Sequence, residues 1–293
     1  MNQRIQKHCV RKSSSSWQGN SAMDRQNGRT PMAGVQIRIL GPISMLSRNI
    51  PVPLAGQRQL RVLTALALVS GRAVCTPELI THLWGERPPR TAAGQLQTSV
   101  WMIRRSLAMV GAPQETVLST ASGYQLDSAH CEIDSDIFRR NVATAKKMVR
   151  ADLKEEALEL LKDALALWRG PALATISSSA LQTRAARLEE ERIAALQQRI
   201  CLEISLGQYE EAIGELTDLI ALHPLREEPY AHLMQALYLC GRQADALAVF
   251  RRARNTLTDE LGIDPGPRLT TLERAILRQD ADMLSAVPGM ARY

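Results

Sequence analysis

Residues 91–109 read Thr91-Ala-Ala-Gly-Gln-Leu-Gln-Thr-Ser-Val-Trp-Met-Ile-Arg-Arg-Ser-Leu-Ala-Met109, and the placement of the other elements follows from them. Leu96, Val100, Ile103 and Leu107 recur at spacings of four, three and four, which draws one narrow apolar stripe along a helix. The opposite face carries Thr91, Gly94, Thr98 and Arg105, with Gln95, Trp101 and Met102 on its flanks. No acidic residue occurs in the stretch. A polar face of small residues with an Arg suits a helix lying in a DNA major groove, because carboxylates would repel phosphates and bulky side chains would block the base edges. The plainer reading of the same pattern is a solvated amphipathic helix.

The flanking segments decide between these readings. Upstream, Val35 to Leu40 alternates at period two, Gly41-Pro42 punctuates, and Ile43 to Leu46 and Ile50 to Leu54 are two further short extended runs, together a small antiparallel meander. Gln57 to Ser70 places Leu60, Leu63, Leu66 and Ala67 at helical spacing and stops at Gly71. A second helix opens at Thr76, a side chain able to cap, with Pro77 and Glu78 in its first turn and Gly85 after it. Pro88-Pro89 then breaks the chain. Downstream, Val117 to Thr120 and Tyr124 to Leu126 form a hairpin about Ser122-Gly123. Sheet, three helices and hairpin, in that order, make a winged helix-turn-helix.

The 293 residues are 45% hydrophobic and 23% charged, the composition of a globular protein with room for two domains. The net charge of +6 divides unevenly: residues 1–33 and 34–127 each carry +5, and residues 128–293 carry −4. A basic front and an acidic rear point to a nucleic-acid-facing module followed by a protein-facing one. Residues 1–33 read as a disordered basic tail, with Met23 and Met32 as alternative starts. The five cysteines are scattered without a CxxC pair or a secretory signal, so a reduced, cytoplasmic setting is expected; no run approaches eighteen apolar residues, so no membrane partner is expected, and the nucleic-acid-facing reading adds association with the nucleoid. Cys201 and Cys240 fall on apolar helix faces, where a free thiol acts as a small hydrophobe.

Beyond Asp136 the pattern is helical. Ala157, Leu160, Leu161, Ala164, Leu165 and Trp168 share a face, and a long helix spans Leu181 to Leu206. Gly207-Gln-Tyr-Glu-Glu-Ala212 and Gly241-Arg-Gln-Ala-Asp-Ala246 are offset by 34 residues, the period of a tetratricopeptide repeat. The same register aligns Leu216 with Phe250 and sets Tyr230 and Leu233 at the large positions of the motif. Such repeats present binding or dimerising surfaces.

These residues resemble a known family. Ile37-Arg-Ile-Leu-Gly-Pro42, Ala55-Gly-Gln-Arg58, Leu83-Trp-Gly-Glu-Arg-Pro-Pro89, Gly123-Tyr-Gln-Leu-Asp127 and Glu260-Leu-Gly-Ile-Asp-Pro-Gly-Pro-Arg-Leu269 occur in order. Each string is weak alone, and the ordered set resembles the Streptomyces antibiotic regulatory protein (SARP) family. The resemblance covers about residues 35–280. It implies a mainly α fold with a small antiparallel β component: an OmpR-type winged helix over 34–127, a tetratricopeptide-like bacterial transcriptional activator domain over 128–285, and a flexible end at 286–293. It also implies a transcriptional activator of a secondary-metabolite gene cluster, binding direct repeats in promoter DNA as a homodimer and contacting RNA polymerase holoenzyme with its sigma factor.

Carried over by position, the 91–109 helix becomes the recognition helix. Thr98 and Arg105 stand nearest the bases, Arg90 and Arg104 nearer phosphates, Thr91, Gln95 and Met102 on the same surface, and Ser122 and Gln125 in the wing. The loop Trp84 to Pro89, with Glu86 and Arg87, corresponds to the polymerase-facing segment. Two departures stand out: Trp101-Met102 replaces a small polar residue and an Arg, and residues 120–125 lack the wing Arg common in the family. Each removes a charge-assisted contact, worth ~1 to 3 kcal/mol at a base. The alternative expectation is therefore a tetratricopeptide-like interaction adaptor with weakened DNA binding.

An enzyme is not expected, since no GxxxxGK, GxGxxG, HExxH or GxSxG occurs, and no cofactor is expected. His130-Cys131-Glu132 with Asp134 and Asp136 is the one candidate metal cluster. It lacks a familiar ligand spacing and is read as an interdomain connection whose acids begin the next helix.

Overall fold

A computed structural model describes residues 34–54, 56–176 and 178–280. The expected basic tail at 1–33 and flexible end at 286–293 lie outside the described residues. Strands β1 (Val35–Arg38), β2 (Ser44–Ser47) and β3 (Ile50–Pro51) form the expected meander, shorter in its last run than the sequence indicates. Helices α1 (Gln57–Ala67), α2 (Thr76–Trp84) and α3 (Ala92–Met109) follow, with β4 (Val74–Cys75) between the first two. The hairpin β5 (Val117–Ser119) and β6 (Gly123–Leu126) closes the winged helix, with β4 paired to β6.

Local details depart from expectation for identifiable reasons. Thr76 does not cap α2; Cys75 occupies the cap position, and the Thr76 N–H donates to the Ser122 carbonyl at 3.0 Å instead, tying α2 to the wing. Pairing of β4 with β6 brings the Val74 carbonyl to 2.0 Å from where a Gly123 Cβ would stand, so only glycine fits there.

The segment read as an interdomain connection is a strand, β7 (Cys131–Ile133), lying parallel to β1 with Val35 opposite Cys131 and Ile37 opposite Ile133. Three residues are too few to show a period in sequence, and the partner is almost a hundred residues upstream. β7 turns the meander into a mixed four-stranded sheet of order β3-β2-β1-β7. Directly after it, α4 (Asp134–Arg150) begins, followed by α5 (Lys154–Ala166) and the long α6 (Ser179–Ser205).

Asp134 does more than begin a helix. Its Oδ1 accepts the Ile39 N–H at 2.8 Å, its Oδ2 accepts the Leu40 N–H at 3.0 Å, and Arg169 Nη2 lies 3.2 Å from the same oxygen. Burial pushes this carboxyl above its ordinary value, against the lowering from those two N–H groups and Arg169. The chain after α5 answers the same strand end: Arg169 N–H donates to the Leu40 carbonyl at 2.9 Å and Leu173 N–H to the Ile39 carbonyl at 3.1 Å. One apolar core consequently runs from Val35 to Ala195 and takes in Phe138, Trp168, Leu181 and Leu188 from the helical part. Phe138 and Trp168 meet edge to face at 5.5 Å.

The remaining helices, α7 (Tyr209–Leu222), α8 (Glu227–Leu239), α9 (Gln243–Leu261) and α10 (Pro267–Arg278), enclose a second core. Gly207 and Gly241, the two glycines of the 34-residue offset, have φ of +79° and +77° and carry the turns into α7 and α9. Leu216 and Phe250, equivalent in that register, are both buried, as are Tyr230 and Leu233. Cys201 is buried, whereas Cys240 ends α8 half-exposed.

Two stability predictions follow from this frame. Asp134→Ala strands two buried N–H groups and Arg169, so thermal denaturation should show a loss of about 3–5 kcal/mol; a loss near zero contradicts the clasp. Arg104 Nε and Nη2 donate to the Val117 carbonyl at 2.9 and 2.7 Å, and Nη2 also reaches Ser119 Oγ at 3.0 Å. Arg104→Ala should therefore cost about 1–3 kcal/mol of stability, while Arg105→Ala leaves the melting temperature within error.

Candidate nucleic-acid interface

Helix α3 buries Leu96, Val100, Ile103 and Leu107 against α1 and α2, together with Ala92 and Ser99. That packing leaves Thr91, Gly94, Thr98, Trp101, Met102 and Arg105 exposed on the far side. The face is uncommonly apolar for one meeting phosphates: Trp101 is 56% exposed and Met102 38%. Arg105 sits over the Trp101 ring, its guanidinium carbon 5.3 Å from the ring centroid. The indole holds the guanidinium against the helix surface, which restricts its freedom before any partner is met.

The other expected residues divide by their partners. Gln95 is held in a chain across α1 and α3: Arg58 Nη1 donates to its Oε1 at 2.8 Å, and its Nε2 donates to Thr91 Oγ1 at 2.8 Å. Thr98 Oγ1 donates back to the Gly94 carbonyl at 2.9 Å, leaving its lone pairs outward. Met102 Sδ accepts from Gln59 Nε2 at 3.2 Å, so its thioether is anchored to α1 at the edge of the face. Arg90 is exposed at the start of α3. Arg104 is half-buried and turned to β5, a brace between the helix and the hairpin.

In the hairpin, Ser122 is exposed at the tip and Gln125 Nε2 donates to the Gly71 carbonyl at 2.9 Å. That bond brings the wing beside the turn that carries the exposed Arg72. Arg58 and Arg72 were not singled out from sequence as interface residues. Arg58 was within reach, since it ends the Ala55-Gly-Gln-Arg58 string; nothing in the sequence marks Arg72. In the connecting loop, Glu86 and Arg87 are exposed and Trp84 is half-buried against the first core. Arg61 Nη1 holds the Leu83 carbonyl at 2.8 Å and Ser178 Oγ donates to the His82 carbonyl at 3.1 Å, so the loop springs from a braced helix end.

The candidate metal residues point to separate partners. His130 Nδ1 pairs with Asp127 Oδ2 at 2.9 Å; this bond and the Ala129 N–H hold the Asp127 carboxyl below its usual range. Burial pushes the Cys131 thiol up to about 12, and Asp134 faces β1. Among the described residues no three His, Cys, Asp or Glu side chains group as metal ligands, and no helix is long and apolar enough to cross a membrane.

A family model of the bacterial transcriptional activator domain matches residues 133–277. The regulatory protein DnrI of Streptomyces peucetius is 35% identical over 253 residues, which cover 84% of this chain and 93% of DnrI. The transcriptional regulator RedD of Streptomyces coelicolor is 36% identical, covering 84% of this chain and 71% of RedD. The regulatory protein AfsR of Streptomyces griseus is 35% identical over 89% of this chain, which spans 28% of that longer relative. Among solved structures, Mycobacterium tuberculosis EmbR in complex with a low affinity phosphopeptide superposes with a TM-score of 0.78 at 33% identity, over 86% of this chain and 69% of EmbR. With one relative matched over nine-tenths of its length, the chain belongs to the SARP family of transcriptional activators.

Proposed function

We propose that this chain reads promoter DNA with α3 in the major groove and the β5–β6 hairpin alongside it, binding direct repeats as a homodimer. The observation that carries this reading is the acid-free outward face of α3, held rigid by a fully buried stripe behind it. Thr98 and Arg105 meet base edges, and Arg58, Arg72 and Arg90 supply phosphate contacts. Arg104 acts through the wing it braces rather than on a phosphate. The exposed Trp101 and Met102 favour thymine methyl groups over a polar base edge, so the operator differs from one read by an Arg at that place.

The loop 84–89, projecting from a braced helix end, contacts RNA polymerase holoenzyme and its sigma factor. The tetratricopeptide-like helices serve the dimer, and the protein works in the cytoplasm at the nucleoid to switch on a secondary-metabolite gene cluster. A second reading, an interaction adaptor with weakened DNA binding, draws on the wing without a basic residue and on Arg104 being turned inward.

Binding of the full chain to promoter fragments flanking its own gene, titrated with salt and competed with random DNA, separates the two. The activator shows specific footprints and a log K against log salt slope of about −0.9 per phosphate neutralised. Arg105→Ala weakens specific binding by about 1–3 kcal/mol and random binding far less. A folded protein that binds its promoter no better than random DNA supports the adaptor instead.

A further inference from the structure

Gln95 stands one turn into α3, half-buried on the flank that meets α1. Two residues grip its amide: Arg58 Nη1, from the start of α1, lies 2.8 Å from Oε1, and Nε2 lies 2.8 Å from Thr91 Oγ1. A guanidinium donates and never accepts, so the atom facing Arg58 is the carbonyl oxygen and the atom facing Thr91 is the nitrogen. The amide therefore has one sense. These bonds leave a lone pair on its oxygen and a hydrogen on its nitrogen for a further partner.

The neighbouring residues leave room for that partner. Thr91, Gly94 and Thr98 are small and exposed, and a Cβ added at Gly94 would meet nothing within 4 Å. In a helix-turn-helix the N-terminal residues of the recognition helix contact the base edges. Adenine presents in the major groove an N7 acceptor beside an N6 donor, the complement of an amide with both an acceptor and a donor to offer. Guanine presents two acceptors, N7 and O6, so one of them would oppose the carbonyl oxygen. A free glutamine turns its amide over to suit either base. This one loses its bonds to Arg58 and Thr91 if it turns.

We propose that Gln95 is an adenine-reading residue, with Arg58 and Thr91 as positioning residues that fix the sense of its amide. The assignment rests on the DNA-reading function proposed above and names one base contact within it. The N–H groups of Arg58 not spent on Gln95 remain for a phosphate, so one side chain serves both tasks.

The test titrates the full chain against the footprinted half-site of its promoter and against versions with each base pair replaced in turn. Wild type prefers A·T at one position by at least about fivefold over every alternative. Gln95→Ala brings that preference to within about twofold and leaves the other positions as they were. Thr91→Val removes the acceptor without removing a cap, since Thr91 makes no side-chain cap bond; adenine-over-guanine discrimination falls at the same position, and Thr91→Ser restores it. Arg58→Met adds the same local loss to a uniform one from its phosphate contact. Melting temperatures confirm that each variant is folded.

The assignment is overturned if every preference survives Gln95→Ala, if all positions weaken alike, or if the position relaxed is not an A·T pair. In each of these results the wild type still reads its promoter, so the proposed function stands. Unchanged discrimination in folded Thr91→Val overturns the positioning role. A wild-type chain that binds its promoter no better than random DNA overturns the proposed function and this assignment together.

Discussion

Asp134, the first residue of α4, turns its carboxylate back onto the Ile39 and Leu40 N–H groups at the end of β1 and meets Arg169 on the way. Several connections between the winged helix and the helical array meet at this point, and the bond from Ser178 to the His82 carbonyl adds another at the end of α2. β7 delivers Asp134 to the sheet, and the chain from Arg169 to Leu173 closes over the same strand end with its own backbone bonds. Burial pushes the carboxyl up against the lowering from the two N–H groups and Arg169, and removing it alone would leave those buried groups without this acceptor. Gly41, with φ of +132° and a Cβ position 3.1 Å from Arg169, lets the backbone approach closely enough for the clasp to form.

From that frame the division of labour on α3 follows. A helix anchored by Leu96, Val100, Ile103 and Leu107 has one face left for solvent, and its two consecutive arginines point to opposite duties. Arg104 reaches inward to the Val117 carbonyl and sets the hairpin against the helix; Arg105 stays outside, laid over Trp101. A hairpin tip without a basic residue thus accompanies an exposed apolar surface on α3.

Strong periodic segments were legible in the sequence. The α3 stripe, the Gly-bounded α2 and the two glycine turns of the repeat depend on local spacing, which the chain displays openly. β7 was not legible, because three residues carry no period and its register is set by a partner far upstream. Nor was the role of Asp134, read as a helix-start acid when its actual partners lie 94 and 95 residues away. Adjacent arginines on one helix differ by 100° in direction, and only the position of β5 shows which turns inward. The burial of His232 was invisible for the same reason: a scattered histidine in sequence is enclosed only after the helices pack.

Hydrogen–deuterium exchange of the full chain, with and without saturating promoter DNA, locates the reading surface directly. The account predicts slowed exchange in α3 and in the β5–β6 hairpin, with α7 to α10 unchanged on a single half-site. Protection confined to the helical array, with α3 and the hairpin exchanging as in the free protein, would contradict it.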